Sequence, residues 1–279
     1  MAVPVRIDTL DDPRVAEYRH VTNPAHLLAR SLFVVEGRLV VERLLALPQW
    51  QTHSVLVTQA ASDNLGAPLD RTDAAIYLTE QSLMNQIAGF NIHRGCLALA
   101  ARQPERTLDH AGADRAQRAL ILEGVSNPDN IGGLFRSAEA FGVDLVVLGP
   151  ECGDPLYRKA IRTSMGSTLA VPFVRAGDWP AAIGVLRASR FQVVALTPAA
   201  SALPISSITP AGPKVAILVG AEGAGLSAPA MAAADLRARI PMSGAIDSLN
   251  VTTAASIALY HFSLHSAGPR ARQPRVGGR

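Results

Sequence analysis

Three short segments carry residue types that could do chemistry together. The first, Asn127-Pro128-Asp129-Asn130-Ile131-Gly132-Gly133-Leu134-Phe135-Arg136, comes just after the apolar run at 120–122. Asn or Asp ahead of an apolar-periodic run starts a helix, and adjacent glycines let a ligand or another backbone come close. With Leu134, Ala138 and Phe141 turned to a core, Arg136 takes another face. By itself it reads as an exposed helix arginine, and Asn130 as a cap. The second segment, Gly220-Ala221-Glu222-Gly223-Ala224-Gly225-Leu226-Ser227, follows the apolar run at 215–219. Its glycines suit a ligand that touches backbone, but the spacing is not the dinucleotide fingerprint and the Lys of a phosphate loop is missing. Glu222 would repel a phosphate, so the loop suits a cationic or neutral cofactor. The third, Ile240-Pro241-Met242-Ser243-Gly244-Ala245-Ile246-Asp247-Ser248-Leu249-Asn250-Val251-Thr252-Thr253, runs into an apolar helix ending near His265. Ser248 and Asn250 stand at that helix's start, where capping is the default explanation. Capping leaves the preceding Ile-Pro-Met-Ser-Gly unexplained.

The elements that must position these segments are legible as apolar runs. From residue 119, Leu120-Ile121-Leu122, Leu145-Val146-Val147-Leu148, Val193-Val194-Ala195-Leu196 and Val215-Ala216-Ile217-Leu218-Val219 are near-continuously apolar, as parallel strands covered on both faces are. In open α/β sheets ligands bind beyond the carboxyl ends of such strands, where the first two segments lie. The first third also alternates strands with helices. Leu32-Phe33-Val34-Val35, Ser54-Val55-Leu56-Val57, Ala75-Ile76-Tyr77-Leu78 and Cys96-Leu97-Ala98-Leu99 are strand candidates, while Leu39, Val40, Arg43, Leu44 and Leu47 recur at helical spacing, as do Leu83, Gln86 and Ile87. A small α/β domain over 1–102 follows. Residues 103–118 are polar, Pro-interrupted and without a sustained apolar period, which predicts a linker. A second domain is predicted over 119–267 and a disordered basic tail over 268–279.

Composition narrows the class. The chain has 279 residues, 48% hydrophobic and 18% charged, with a net charge of +3, which excludes a uniformly basic nucleic-acid-coating protein. Any nucleic-acid contact must be local. Charge is uneven: residues 1–110 carry 10 basic and 12 acidic side chains, and residues 111–279 carry 16 and 11. All but Lys159 and Lys214 of the basic groups are arginines, whose planar fork pairs with phosphates, though a GC-rich genome explains the bias equally well. Cys96 and Cys152 cannot make a disulfide framework or a four-ligand zinc site. The opening lacks the pattern of a secretory signal, and no apolar run nears the roughly 20 residues that span a bilayer, so a cytoplasmic protein without membrane or metal is expected.

In their order and strand-end placement, the three segments resemble the signature motifs of the SpoU (TrmH-like) branch of the SPOUT RNA methyltransferases. The resemblance covers residues 119–265; the second and third segments are close to diagnostic together, and the first supplies N-x-x-N-I-G followed by Arg. The amino-terminal third, with Phe90-Asn91-Ile92-His93-Arg94-Gly95 before its last strand, more loosely resembles the family's ribosomal-protein-like substrate-binding domain. The resemblance implies an α/β fold with a parallel sheet and a carboxyl-terminal deep trefoil knot, a feature that no strand pattern could have predicted. It implies transfer of a methyl group from S-adenosylmethionine to a ribose 2′-oxygen of RNA by a homodimer. Carried over by position, the cofactor would lie against the backbone of Gly220, Ile240 and Leu249, with Leu196, Thr197, Gly223 and Met242 nearby. Asn130, Arg136, Glu222, Ser248 and Asn250 would form the catalytic centre. A guanidinium is a poor base, so Arg136 is expected to grip a phosphate and stabilise the developing alkoxide, from across the dimer interface. Glu222 would hold the network or accept the proton. The helix carrying Ala254, Ile257, Ala258, Leu259 and Phe262 would join the dimer contact or simply cover the sheet. Thr252-Thr253 stands where Ser-Val is usual, Gly133 where Ala is usual, and His261 where an acid often follows the Tyr; these changes leave the transfer chemistry intact.

The amino-terminal α/β domain points to 23S ribosomal RNA ahead of tRNA or an antibiotic-resistance modification. Two other classes compete. A catalytically silent RNA-binding protein would have little use for an intact Arg136, Glu222, Ser248 and Asn250. A nicotinamide-dependent dehydrogenase needs a Gly-rich turn with an acid about 20 residues on, and Gly132-Gly133 lack that spacing.

Overall fold

The computed structural model describes residues 3–92, 94–244 and 246–265. His93 and the Arg-rich tail lie outside the described residues. The chain forms two compact units, Met1–Pro104 with Pro155–Leu169, and Glu105–Asp154 with Ala170–Arg279.

In the first unit, β1 (Val5–Arg6), β2 (Leu32–Glu36), β3 (Thr52–Val57), β4 (Ala75–Leu78) and β5 (Cys96–Ala101) form a sheet in the order β1-β4-β3-β5-β2. It is mixed: β5 runs antiparallel to both β2 and β3, while β1 and β3 pair with β4 in parallel. Both helices form where the sequence predicts them, but the inward faces are shifted: Arg38–Leu45 buries Val40, Val41 and Leu44 with Leu39 exposed, and Gln81–Ala88 buries Met84, Ile87 and Ala88 with Gln86 exposed. Tyr18 is fully buried and exchanges a 2.9 Å hydrogen bond with the Ser54 hydroxyl, and burial drives its phenol far above the ordinary tyrosine value. Residues 155–169 fold with this unit although they are remote in sequence. Arg158, on the helix Arg158–Thr163, donates to the buried Glu36 carboxylate and stacks 4.5 Å from the Phe90 ring centroid.

The second unit is built on a seven-stranded sheet in which every pair is parallel. Its strands are β6 (Arg118–Leu122), β7 (Leu145–Leu148), β8 (Phe173–Arg175), β9 (Gln192–Leu196), β10 (Leu203–Pro204), β11 (Val215–Val219) and β12 (Leu236–Arg239), in the order β10-β12-β9-β11-β6-β7-β8. The central strands β6 and β11 are buried almost end to end, which is why they read as unbroken apolar runs. Connections leave β6 toward β7 and leave β11 toward β12, on opposite sides. That makes β6/β11 a topological switch point, where the loops diverge and a crevice can form.

The predicted linker is not a linker. Leu108 donates from its backbone to the Arg175 carbonyl, and the helix His110–Arg115 places Ala113 in the core with Ala116 just beyond it. Arg118 is the first residue of β6. Alanines carry this burial, and their short side chains leave no apolar period for sequence reasoning to find. Among the described residues no helix is long and apolar enough to cross a membrane.

Cys96 is buried in β5, and desolvation pushes its thiol up to about 12; the Cys152 thiol is also raised, by its own burial. At pH 8 the Cys96 thiolate fraction is therefore only about one in ten thousand. Iodoacetamide at that pH should leave Cys96 unmodified in the native protein and alkylate it in denaturant, as read by peptide mass mapping.

Candidate active site

The second unit holds a cavity of about 380 Å³ beyond the carboxyl ends of β9, β11 and β12. Leu196, Thr197 and Pro198 come from the end of β9, Gly220 to Gly223 from the loop after β11, and Ile240, Met242, Ser248, Leu249 and Asn250 from the segment after β12. The structure thus brings together every expected cofactor residue, with Glu222, Ser248 and Asn250 on the same wall.

Gly220 cannot carry a side chain, because an added Cβ would sit 2.3 Å from the Gly225 carbonyl carbon. The loop doubles back there, with the Gly225 N–H donating to the Ala221 carbonyl at 3.0 Å. Gly223 and Gly225 adopt φ of +85° and +71°, the left-handed region that glycine enters freely.

Asn250 joins the segments. Its Oδ1 accepts from the Thr252 N–H at 2.9 Å and the Thr253 N–H at 3.4 Å, capping the helix Val251–Ser263. Its Nδ2 donates to Asn130 Oδ1 at 3.0 Å and to Glu222 Oε1 at 2.8 Å. The orientation of the amide is fixed, since a backbone N–H cannot accept and a carboxylate cannot donate. Capping therefore explains one half of Asn250 and leaves the other half for the site. Asn130 is not a cap: Asn127 takes that place on the helix Pro128–Ala140, and Asn130 is buried one turn further on.

Arg136 is not brought to the cavity. It lies on the same helix as Asn130 and is exposed, six residues on and thus about 9 Å along the axis. Of the helix expected at a dimer contact, Ala258, Leu259 and Phe262 are buried within their own unit, whereas Ile257 and Tyr260 are exposed. The sheet-covering role therefore belongs to the first set, and the second is exposed on its own unit.

Two features escaped sequence reasoning. Glu123, at the end of β6, is a buried carboxylate bonded to Ser227 and Trp179; a single acid after an apolar strand carries no signature. Gly133 and Thr252, two separate departures from the usual pattern, face one another. A Cβ on Gly133 would come 2.7 Å from Thr252 Cγ2, and the Ser137 and Ser256 hydroxyls meet at 2.7 Å one turn along each helix. Small residues thus let the two helices approach and hold Asn130 against Asn250.

Overpacking this contact has a defined outcome. Gly133→Ala should destabilise the protein by about 1–3 kcal/mol despite alanine's better helix propensity. The double variant Gly133→Ala/Thr252→Ser, which removes the clashing methyl, should recover most of that loss in urea unfolding.

The model of the SpoU rRNA Methylase family matches residues 117–260. An "Uncharacterized tRNA/rRNA methyltransferase" of Mycobacterium tuberculosis is 40% identical over 267 residues, covering 93% of this chain and 92% of that protein. The 23S rRNA (guanosine(2553)-2′-O)-methyltransferase RlmP of Bacillus subtilis is 27% identical over 92% of this chain and 98% of its own. The crystal structure of an AdoMet-bound rRNA methyltransferase from Sinorhizobium meliloti aligns with a TM-score of 0.80 at 25% identity, over 95% of this chain and 99% of that one. The chain belongs to the SpoU rRNA methylase family and is a methyltransferase.

Proposed function

We propose that this chain transfers the methyl group of S-adenosylmethionine to a ribose 2′-oxygen of RNA, with 23S ribosomal RNA as its target. The observation that carries this is Asn250, which on the wall of a cavity suited to a cationic cofactor donates both to Glu222 on that wall and to Asn130 buried behind it. At about 380 Å³ the cavity has the size of a small-molecule site. Its lining includes one carboxylate and neither lysine nor arginine. Leu196, Thr197, Gly220, Gly223, Ile240, Met242 and Leu249 would hold the cofactor, which supplies an activated methyl on a positively charged sulfur.

What remains for the protein is alignment and one proton. Asn250 is fixed by its own hydrogen bonds, among them one to the buried Asn130, and would orient the ribose from the cavity wall with Asn130 holding it in place. Glu222 keeps its second carboxylate oxygen for the proton or for the network, and Ser248 offers a hydroxyl from the same wall. Arg136 grips an RNA phosphate and stabilises the developing alkoxide, since its guanidinium is a fork of donors with no acceptor.

In a homodimer, Arg136 would serve the partner's cavity. The exposed stripe Ile257, Tyr260 and Leu264, at 38%, 55% and 64% exposure, supports such a contact. The first unit acts as a ribosomal-protein-like RNA-binding domain and the second as the methyltransferase domain. Its carboxyl-terminal segment would be tied in the family's trefoil knot, a reading supported by the return of the chain from β12, beside β9, to a helix packed on Pro128–Ala140 and on β11. Ribosomal RNA is favoured over tRNA because the likeness to a named 23S rRNA enzyme extends over 92% of the chain. That substrate puts the protein in the cytoplasm.

Arg136→Ala and Asn250→Ala should each reduce methyl transfer to 23S rRNA by about 100-fold or more, with cofactor binding by calorimetry within a few-fold of wild type. The wild-type protein should sediment at twice its 29.4 kDa chain mass. Near-normal transfer by either variant would contradict the site, and preferential methylation of tRNA would contradict the target.

A further inference from the structure

The loop at 220–227 forms one wall of the cavity and presents Glu222 to Asn250. Its own composition does not fix its shape, since Gly220, Gly223 and Gly225 give the backbone wide freedom. A residue outside the loop closes it. The Glu123 N–H donates to the carbonyl of Val219, the residue before the loop, at 3.0 Å. Its carboxylate accepts from Ser227, the last residue of the loop, through the backbone N–H at 2.9 Å and the hydroxyl at 2.6 Å. The Trp179 indole N–H donates to the same carboxylate at 2.7 Å. One residue therefore grips both ends of the loop. Next to it, Gly124 adopts φ of +69°, and a Cβ there would meet Ala221 Cβ at 3.1 Å, so the end of β6 lies directly against the loop's first turn.

Glu123 is buried at 7% exposure and does not line the cavity, so it has no route to the reacting atoms. A buried carboxylate is costly to hold unless its oxygens are hydrogen-bonded, and here three donors converge on it. We infer that Glu123 is a positioning residue for the cofactor site: it clamps the loop at 220–227 so that Gly220 and Glu222 keep their places on the cavity wall. The inference rests on reading the cavity as the S-adenosylmethionine site. The charge and both oxygens are needed. A glutamine has a single acceptor oxygen, and its amide N–H groups would face the donors of Ser227 or Trp179.

The test uses the full chain carrying Glu123→Gln or Ser227→Ala. Calorimetry measures S-adenosylmethionine binding, and steady-state assays give KM for the cofactor and for 23S rRNA separately. Glu123→Gln should weaken cofactor binding and raise the cofactor KM by about tenfold or more, with the RNA KM within about twofold of wild type. Ser227→Ala, which removes the hydroxyl's bond to Glu123 together with its cap bond from the Ala230 N–H, should weaken cofactor binding by about threefold to tenfold and reads the same clamp if Glu123→Gln does not fold. A purely structural role would not separate the two KM values. Wild-type cofactor affinity in either folded variant would overturn the inference, as would equal increases in both KM values. If the wild-type protein itself binds no S-adenosylmethionine, the proposed function fails and the inference falls with it.

Discussion

The site depends on one amide. Asn250 uses both of its polar atoms in opposite directions, accepting from the first N–H groups of its own helix and donating to Asn130 and Glu222. Those two partners come from the first turn of the helix Pro128–Ala140 and from the loop after β11, so one side chain ties three chain segments together. Net hydrogen-bond energies are modest, about 1 kcal/mol each, but an unmet buried polar atom costs more. The larger consequence is geometric. If Asn250 turns, the helix loses its cap and Asn130 and Glu222 lose their common partner.

The rest of the second unit makes that convergence possible. An all-parallel sheet sends every strand's carboxyl end to one edge, and the cavity lies there beyond β9, β11 and β12. Close approach of the helices Pro128–Ala140 and Val251–Ser263 brings Asn130 to Asn250, and it needs Gly133 opposite Thr252 and Ser137 opposite Ser256. Loop chirality at Gly223 and Gly225 and the clamp at Glu123 set the remaining wall. The lining is mostly apolar or backbone, with Glu222 as its charged member, which favours a positively charged ligand over a phosphate.

The buried strands β6, β7, β9 and β11 were legible because burial on both faces demands uninterrupted apolar residues, and that pattern survives in sequence. β12 was not: Leu236-Arg237-Ala238-Arg239 has only Ala238 buried, so its pairing with β9 and β10 leaves no apolar run. Nor could local patterns show that residues 155–169 fold with the first unit, because Arg158 finds Glu36 across 122 positions. The site was readable where several unusual residues cluster, as in Gly220-Ala221-Glu222-Gly223. It was unreadable where the function of a residue lies in a distant partner. Glu123 is one acid among 23 acidic residues, and only Ser227 and Trp179 make it notable. Gly133 and Thr252 each looked like a neutral departure, whereas in space they are one contact. Arg136 is exposed on its helix and lies outside the lining of its own chain's cavity.

The central claim is that these loops present an activated methyl to an RNA sugar. The most direct measurement is transfer of a radiolabelled methyl from S-adenosylmethionine to 23S rRNA, followed by complete alkaline hydrolysis. A methyl on the 2′-oxygen removes the nucleophile that alkali uses to cleave the adjacent phosphodiester, so all label should appear in alkali-resistant dinucleotides. Label recovered in mononucleotides, which would mark a methylated base, or no label at all, would contradict the account.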